Sequence, residues 1–336
     1  MKKFVKYLLA LVICLVLVPG RVTYAHDKKQ VMTTFYPVYY LAKRIAGDKM
    51  DVQMLLNQGQ DAHGYESTAK DAAKVQEADL FIYQDDEMEF FVHDLLSLID
   101  QSQTQVLEST EGIELLKGQG HDHDHDHDHA EEADHDHSHE EAGHDEHDHE
   151  HEGHDHEHGE AGHTHEYDPH TWLDPKVYAD QAENVKRALI ALDPDHEDYY
   201  QANADKLSQD LDQLYQEMAD QLSQRKNRTF VVQHAAFGYL AHAFDLEQVA
   251  ISGLSTEQEP SSQQLAQMQD FIKEQQVQAI YVDPSLNSNI AETVAGATNA
   301  KLYHLRTLEV VTSEEEAEGV DYFTIMRDNL EELMKE

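Results

Sequence analysis

Residues 193–225 read DPDHEDYYQANADKLSQDLDQLYQEMADQLSQR and lie between two halves of the chain that each alternate short apolar runs with helical patterns. Five apolar residues of this stretch recur at spacings of three and four, which places them on one face of a helix. They are Leu207, Leu211, Leu214, Met218 and Leu222. We expect Asp193 to cap the helix and Pro194 to occupy its first position. About 30 helical residues would span about 45 Å, enough to connect two lobes.

The two halves on either side of this helix predict an α/β fold. Six short apolar runs have the length and composition of strands. They are residues 31–35, 52–56, 80–83, 229–233, 246–251 and 278–282. Because helical patterns separate the runs, we predict two (β/α) lobes with mainly parallel sheets, joined by one long helix. The predicted division is a first lobe over 26–194, a linking helix over 195–226 and a second lobe over 227–336.

A segment rich in histidine and acidic residues interrupts the first half. Residues 121–166 hold 17 of the 25 histidines and 19 of the 67 acidic residues, without a lysine or arginine. With almost no apolar residue to bury, this segment is predicted to be a disordered loop. The formal net charge of the whole chain is −43. Such a charge excludes nucleic acid and anionic membranes as partners, since both require a basic surface, and it favours cations.

Residues 1–25 have the pattern of a secretory signal peptide. Three lysines precede an apolar core over residues 7–18, and small residues up to Ala25 form a cleavage site. We therefore expect secretion through the Sec route and an extracytoplasmic location. Lipidation of Cys14 is the alternative to cleavage after Ala25. Because Cys14 is the single cysteine, the chain has no internal disulfide and no thiolate zinc site.

Three histidines outside the insert are candidate metal ligands. His170 lies in DPHTWLDP, residues 168–175, where two prolines and the only tryptophan restrict the backbone. His63 follows the second predicted strand and His234 follows the fourth, at the strand ends where α/β sheets place binding residues. The alternative for each is an ordinary polar or capping role.

Several longer motifs resemble one protein family. They are residues 168–175, 234–241 (HAAFGYLA), 253–261 (GLSTEQEPS) and 321–330 (DYFTIMRDNL), together with the position of the acidic, histidine-rich insert. Taken together, the chain resembles the zinc-specific solute-binding proteins of bacterial ABC importers over essentially its whole mature length. The family binds one metal ion in the cleft between its two lobes.

The resemblance implies a ligand set for that ion. His63 and His170 would come from the first lobe, and His234 with a carboxylate would come from the second. The family places the carboxylate in a loop after the last strand, which implies Glu309. Asp283, at the end of the sixth predicted strand, is the rival.

The resemblance also implies a function. Three imidazoles and one carboxylate suit Zn²⁺, whereas related manganese receptors replace an imidazole by a second carboxylate. We expect a monomeric zinc receptor, not an enzyme, which serves an ABC permease and its ATPase, with the histidine-rich loop as an auxiliary zinc trap. The alternatives are a receptor for manganese or another divalent metal, an extracellular zinc hydrolase, or a surface adhesin. The sequence lacks the HExxH helix and the nucleophile elbow of common hydrolases.

Overall fold

The computed structural model describes residues 28–56, 59–118, 166–254, 256 and 260–335. These residues form two α/β lobes, and each lobe is built on a four-stranded parallel sheet. The predicted signal peptide, Cys14 and the predicted disordered loop up to residue 165 lie outside the described residues.

The first lobe has strand order β2-β1-β3-β4. Its elements in chain order are β1 (Lys29–Thr33), α1 (Tyr36–Ala46), β2 (Met50–Met54), α2 (Ala69–Gln76), β3 (Leu80–Tyr83), α3 (Phe91–Ser97), β4 (Gln105–Glu108), a 3₁₀ turn (Thr171–Leu173) and α4 (Pro175–Leu192). Because parallel strands share one direction, the loops that follow β1, β2 and β3 emerge at the same edge of the sheet.

The second lobe has the equivalent order β6-β5-β7-β8. A 3₁₀ turn (Pro194–His196) and α5 (Glu197–Leu222) lead into it, and its elements are β5 (Thr229–His234), α6 (Gly238–Ala243), β6 (Glu247–Ser252), α7 (Ser262–Glu274), β7 (Ala279–Val282), α8 (Asn289–Thr298), β8 (Lys301–His304), α9 (Ser313–Ala317) and α10 (Tyr322–Leu333). One face of this sheet has an apolar core of its own. The other face joins the core that continues through α5 into the first lobe.

All six predicted strands are present, with ends that differ by at most two residues. Two strands were not predicted, β4 and β8, which pair only with β3 and β7 and form one of the two outer strands of each sheet. Both are four residues long and no residue in either is fully buried. They lack the apolar run by which a central parallel strand is recognised.

The long helix α5 lies between the lobes, as expected, but it begins later and ends earlier than 195–226. It has 26 residues, and its buried face packs against α1, α4 and α10. Asp193 does not cap it. Pro194 instead opens a separate 3₁₀ turn, and the Asp193 carboxylate accepts a hydrogen bond from the Tyr200 hydroxyl at 2.6 Å. Among the described residues no helix, α5 included, is long and apolar enough to cross a membrane.

The last helix, α10, ties the second half of the chain back to the first lobe. The ring of Tyr322 lies 5.8 Å from that of Tyr40 and 4.6 Å from that of Tyr178, centroid to centroid. The Tyr322 hydroxyl donates to the backbone carbonyl of Trp172 at 2.7 Å. The two lobes are therefore connected at α10 as well as at α5.

Candidate metal centre

Four buried side chains meet between the lobes. Of the residues that the structure describes, His63, His170, His234 and Glu309 offer ligand atoms within 4.8 Å of one another. The His170 and His234 Nε2 atoms lie 3.3 Å apart. Glu309 Oε1 lies 3.5 Å from His170 Nε2 and 3.9 Å from His234 Nε2, and Glu309 Oε2 lies 3.8 Å from His63 Nε2. Asp283 is not a member of this group.

These separations fit a small tetrahedral ion. A zinc ion with bonds of about 2.0–2.1 Å to four ligands places neighbouring ligand atoms about 3.3–3.4 Å apart. The shortest two separations, 3.3 and 3.5 Å, have this value, and the contacts of Glu309 with the other two histidines are wider by about half an ångström. These four separations therefore approach the geometry that a single tetrahedral zinc ion requires.

His170 is held by its own loop. It directly precedes the 3₁₀ turn Thr171–Leu173 and is fully buried. Asp168 Oδ1 accepts from the His170 backbone N–H at 3.0 Å and lies 2.7 Å from the ring Nδ1. Since the carboxylate occupies Nδ1, the Nε2 atom faces the cluster, and outer partners of this kind orient metal-binding imidazoles. Gln84, the residue directly after β3, fixes the same loop, because its side-chain amide donates to the Pro169 carbonyl at 3.0 Å.

His234 is the last residue of β5, at the carboxyl end of the sheet. Its Nδ1 lies 3.0 Å from the backbone carbonyl oxygen of Gly253, which follows the neighbouring strand β6. A carbonyl can only accept, so Nδ1 carries the proton and Nε2 is the atom left to face the cluster.

His63 lies in the loop after β2, and Asp61 shapes that loop. Asp61 Oδ1 accepts from the His63 backbone N–H at 2.9 Å. Asp61 Oδ2 accepts from the hydroxyl of Thr256 in the second lobe. One carboxylate thus contacts both the His63 loop and the opposite lobe.

Glu309 is carried by the loop after β8, and Asp283 holds that loop in place. Asp283 Oδ2 accepts from the Thr307 backbone N–H at 2.6 Å and from the Thr307 hydroxyl at 3.0 Å. Trp172 Nε1 donates to the Thr307 carbonyl at 2.7 Å. Leu308, directly before Glu309, has a φ of +65°, in the left-handed region that costs a non-glycine residue about 1 kcal/mol or more. These contacts maintain the turn that presents Glu309.

Two carboxylates favour the protonated form of His170. Burial disfavours the charged form of His170, but the carboxylates of Asp168 and Glu309 outweigh burial and raise its pKa to about 9. Without a metal ion the site therefore holds an imidazolium beside carboxylates. A bound cation would take the place of that proton, so metal binding and proton release are linked.

The two ends of the histidine-rich insert meet beside the His170 loop. Lys117 and Tyr167 form an antiparallel bridge, and the Gly118 backbone N–H donates to the Glu166 carbonyl at 2.9 Å. The next residue, Asp168, is the partner of His170. The insert is thus closed at its base, immediately before the metal centre.

Comparison with known proteins assigns the family. A family profile described as ZnuA, "Zinc-uptake complex component A periplasmic", matches residues 31–336. This chain belongs to the ZnuA family.

Relatives of known name agree with this assignment. The chain is 36% identical over 307 residues to the high-affinity zinc uptake system protein ZnuA of Bacillus subtilis, covering 91% of this chain and 87% of the relative. It is 35% identical to the zinc-binding protein AdcA of Streptococcus pyogenes over 92% of this chain, but it spans only 56% of that longer relative. The solved structure of the Zn(II)-bound ZnuA-like domain of AdcA from Streptococcus pneumoniae superposes with a TM-score of 0.70 at 32% identity, covering 92% of this chain and 98% of that one.

Several residues that shape the centre were missed by the sequence reading. The Gly253 carbonyl and Gln84 act through a ligand or its loop, and no residue pattern alone marks them. Asp61 and Asp168 each stand two residues before a candidate ligand, in an Asp-x-His spacing that could have marked both. Both carboxylates accept from the histidine backbone N–H, and only Asp168 also contacts the imidazole. The other described histidines lie outside the cluster, as expected; they are His93, His196, His242 and His304.

Proposed function

We propose that this protein is an extracytoplasmic zinc receptor that binds one Zn²⁺ ion through His63, His170, His234 and Glu309 and delivers it to a membrane permease. The observation that carries the proposal is the convergence of four buried ligand atoms from both lobes within 4.8 Å. A site assembled from two lobes can open when the lobes separate, as release of a cargo ion requires. The family description, a periplasmic zinc-uptake component, supports the same role.

The donor set favours zinc over manganese. Imidazole nitrogen suits borderline ions such as Zn²⁺, whereas Mn²⁺ prefers more oxygen ligands. Asp283, the residue that could add a second carboxylate, uses both oxygens to accept hydrogen bonds from Ser285 and Thr307. Copper and nickel also bind imidazole, so selection among these ions would rest partly on their availability.

The same donor set favours a receptor over a hydrolase. Catalytic zinc sites keep one coordination position for a water molecule, but four protein ligands fill a tetrahedral zinc ion. The proposed partners are the permease and ATPase of a zinc ABC importer, and the proposed functional unit is a monomer. No described residue favours the adhesin alternative.

Zinc titration of His170→Ala tests the proposal, with His304→Ala as the matched control. His304 is an exposed histidine at the end of β8, outside the cluster. Both proteins would lack residues 121–165, so that weak sites in the insert do not obscure the count. Native mass spectrometry should find one tightly bound zinc in the parent and in His304→Ala, and none in His170→Ala. Equal zinc content in all three proteins would contradict the ligand assignment.

A hydrolysis assay on ester and peptide substrates separates the receptor from the hydrolase. We expect no zinc-dependent turnover from the parent protein. Turnover that disappears in Glu309→Gln would replace the receptor proposal by the hydrolase alternative.

A further inference from the structure

Gly238, the first residue of helix α6, contacts the outer partner of His170 from the opposite lobe. A Cβ atom built on Gly238 would lie 2.2 Å from Asp168 Oδ2 and 3.5 Å from Asp168 Cγ. A separation of 2.2 Å is far inside van der Waals contact. The absence of a side chain at this position is therefore what permits the carboxylate to lie where it does.

The backbone of Gly238 does not itself require glycine. It has ordinary helical geometry, which alanine adopts readily, and glycine inside a helix is less stable than alanine by about 0.5–1 kcal/mol. The reason for glycine here is space. Gly296 in α8 is a useful contrast, since its Cβ would meet nothing within 4 Å.

Asp168 cannot move away from Gly238 without releasing His170. Its Oδ1 atom is engaged by both the backbone N–H and the ring Nδ1 of His170, and the residue is buried. Its backbone N–H donates to the Leu116 carbonyl at 2.8 Å. Leu116 in turn donates its N–H to the hydroxyl of Tyr239, the residue after Gly238, at 2.9 Å. The two lobes thus contact each other at Asp168 through a fixed set of bonds.

We propose that Gly238 is a positioning residue of the metal centre: by admitting Asp168 Oδ2 against α6, it fixes the orientation of the His170 ring when the lobes are together. This inference rests on the proposed zinc function. Its physical content is a chain of two contacts, from α6 of the second lobe to the Asp168 carboxylate and from there to the His170 imidazole.

A Cβ at position 238 should weaken zinc binding without touching a ligand. The carboxylate must rotate, and its hydrogen bond to His170 Nδ1 lengthens or breaks. Loss of an outer-sphere partner of this kind lowers metal affinity by about 10–100-fold. We expect Gly238→Ala to lose zinc affinity by a factor in this range, while Gly296→Ala keeps the parental affinity.

A double-mutant cycle with Asp168→Ala separates this mechanism from general damage to α6. Asp168→Ala removes the oxygen atom that the new Cβ would meet, and alone it should weaken zinc binding by the same 10–100-fold. In that background Gly238→Ala should have no further effect, so the double variant should bind zinc like Asp168→Ala. The affinities are measured by competition with a chelator of known zinc affinity.

A second readout requires no metal. In the metal-free parent, the His170 ring N–H that is bonded to Asp168 should give a downfield proton resonance. That resonance should shift or disappear in Gly238→Ala and persist in Gly296→Ala.

The outcomes are distinguishable. Parental zinc affinity in Gly238→Ala or in Asp168→Ala overturns the positioning role, as does an additive loss in the double variant. If Gly238→Ala does not fold, folding of the double variant supports the Asp168 contact, and failure of both to fold overturns it. Failure of the parent itself to bind zinc would instead contradict the proposed function, and the metal-free resonance would still test the contact.

Discussion

Replacing Asp283 by asparagine should damage the fold and spare the zinc site. Asp283 is buried, and its two oxygens accept four hydrogen bonds from the backbone and hydroxyl groups of Ser285 and Thr307. Asparagine keeps one acceptor oxygen, but it turns an N–H₂ donor toward one of the two pairs of donors. At least one backbone N–H then loses its partner.

The expected loss of stability follows from the backbone N–H that loses its partner. A buried donor left without a partner costs about 1–3 kcal/mol. In chains of about 150–250 residues, 1 kcal/mol lowers the midpoint of thermal unfolding by about 2–4 °C. We therefore expect Asp283→Asn to unfold about 2–12 °C below the parent, with both proteins held metal-free by a chelator.

Zinc titration of the same variant decides between the two carboxylates. Asp283→Asn should still bind one zinc ion, with an affinity reduced only as far as the Thr307 loop loosens around Glu309. Glu309→Gln should lose more than about 100-fold, beyond the usual effect of an outer partner. A variant Asp283→Asn with an unchanged thermal midpoint and no tight zinc would refute the reasoning, because Asp283 would then act as a ligand.

Three further outcomes are expected. Burial raises the pKa of Asp71, but hydrogen bonds from Thr68 and neighbouring groups outweigh burial and lower the pKa to about 2, below the ordinary value of 3.8. The stability that this shift gives is present above about pH 4 and is lost toward pH 2. In Asp71→Asn, the free energy of unfolding measured with a chemical denaturant should therefore change less between pH 4 and pH 2 than in the parent. Trp172→Phe leaves the buried Thr307 carbonyl without the indole N–H that donates to it at 2.7 Å. Calorimetry should show a free energy of unfolding that is lower by about 1–3 kcal/mol. Deleting residues 121–165 should retain one tight zinc and slow capture only at scarce zinc, as stopped-flow binding would show; loss of the tight site would disprove this division of labour.

Much of the fold could be predicted from periodicity. The helical spacing from Leu207 to Leu222 and the central strands reflect burial, which leaves a clear apolar pattern. Strands β4 and β8 could not be predicted in this way, because neither contains a fully buried residue or an apolar run. The predicted start of α5 was wrong because Pro194 forms a separate 3₁₀ turn, in which the Asp193 carboxylate contacts His196 and Tyr200 and does not cap the long helix.

The candidate site also contains residues that the sequence could predict and residues that it could not. The three histidines follow strands or lie in a restricted loop, so local sequence marks them. The choice of Glu309 as the fourth ligand came from the family resemblance. Local sequence could not make that choice, because Glu309 and Asp283 are both carboxylates that follow strands. What distinguishes them is the set of donors around Asp283, which forms only when the loop carrying Thr307 is folded. Contacts such as that of Gly238 with Asp168 require the lobes to be in place.

The bridge between Lys117 and Tyr167 has a consequence for how this chain can vary. The base of the insert is closed by its own backbone hydrogen bond. If the residues beyond it form a disordered loop, as their composition predicts, their number would enter the folding free energy only through loop-closure entropy. That entropy changes by about 0.6 kcal/mol for each doubling of loop length. We therefore expect duplication or loss of His-Asp repeats to be nearly neutral for the stability of the receptor. Natural variants could tune the number of histidines to the supply of metal, and an engineered binding peptide could be grafted at the same point.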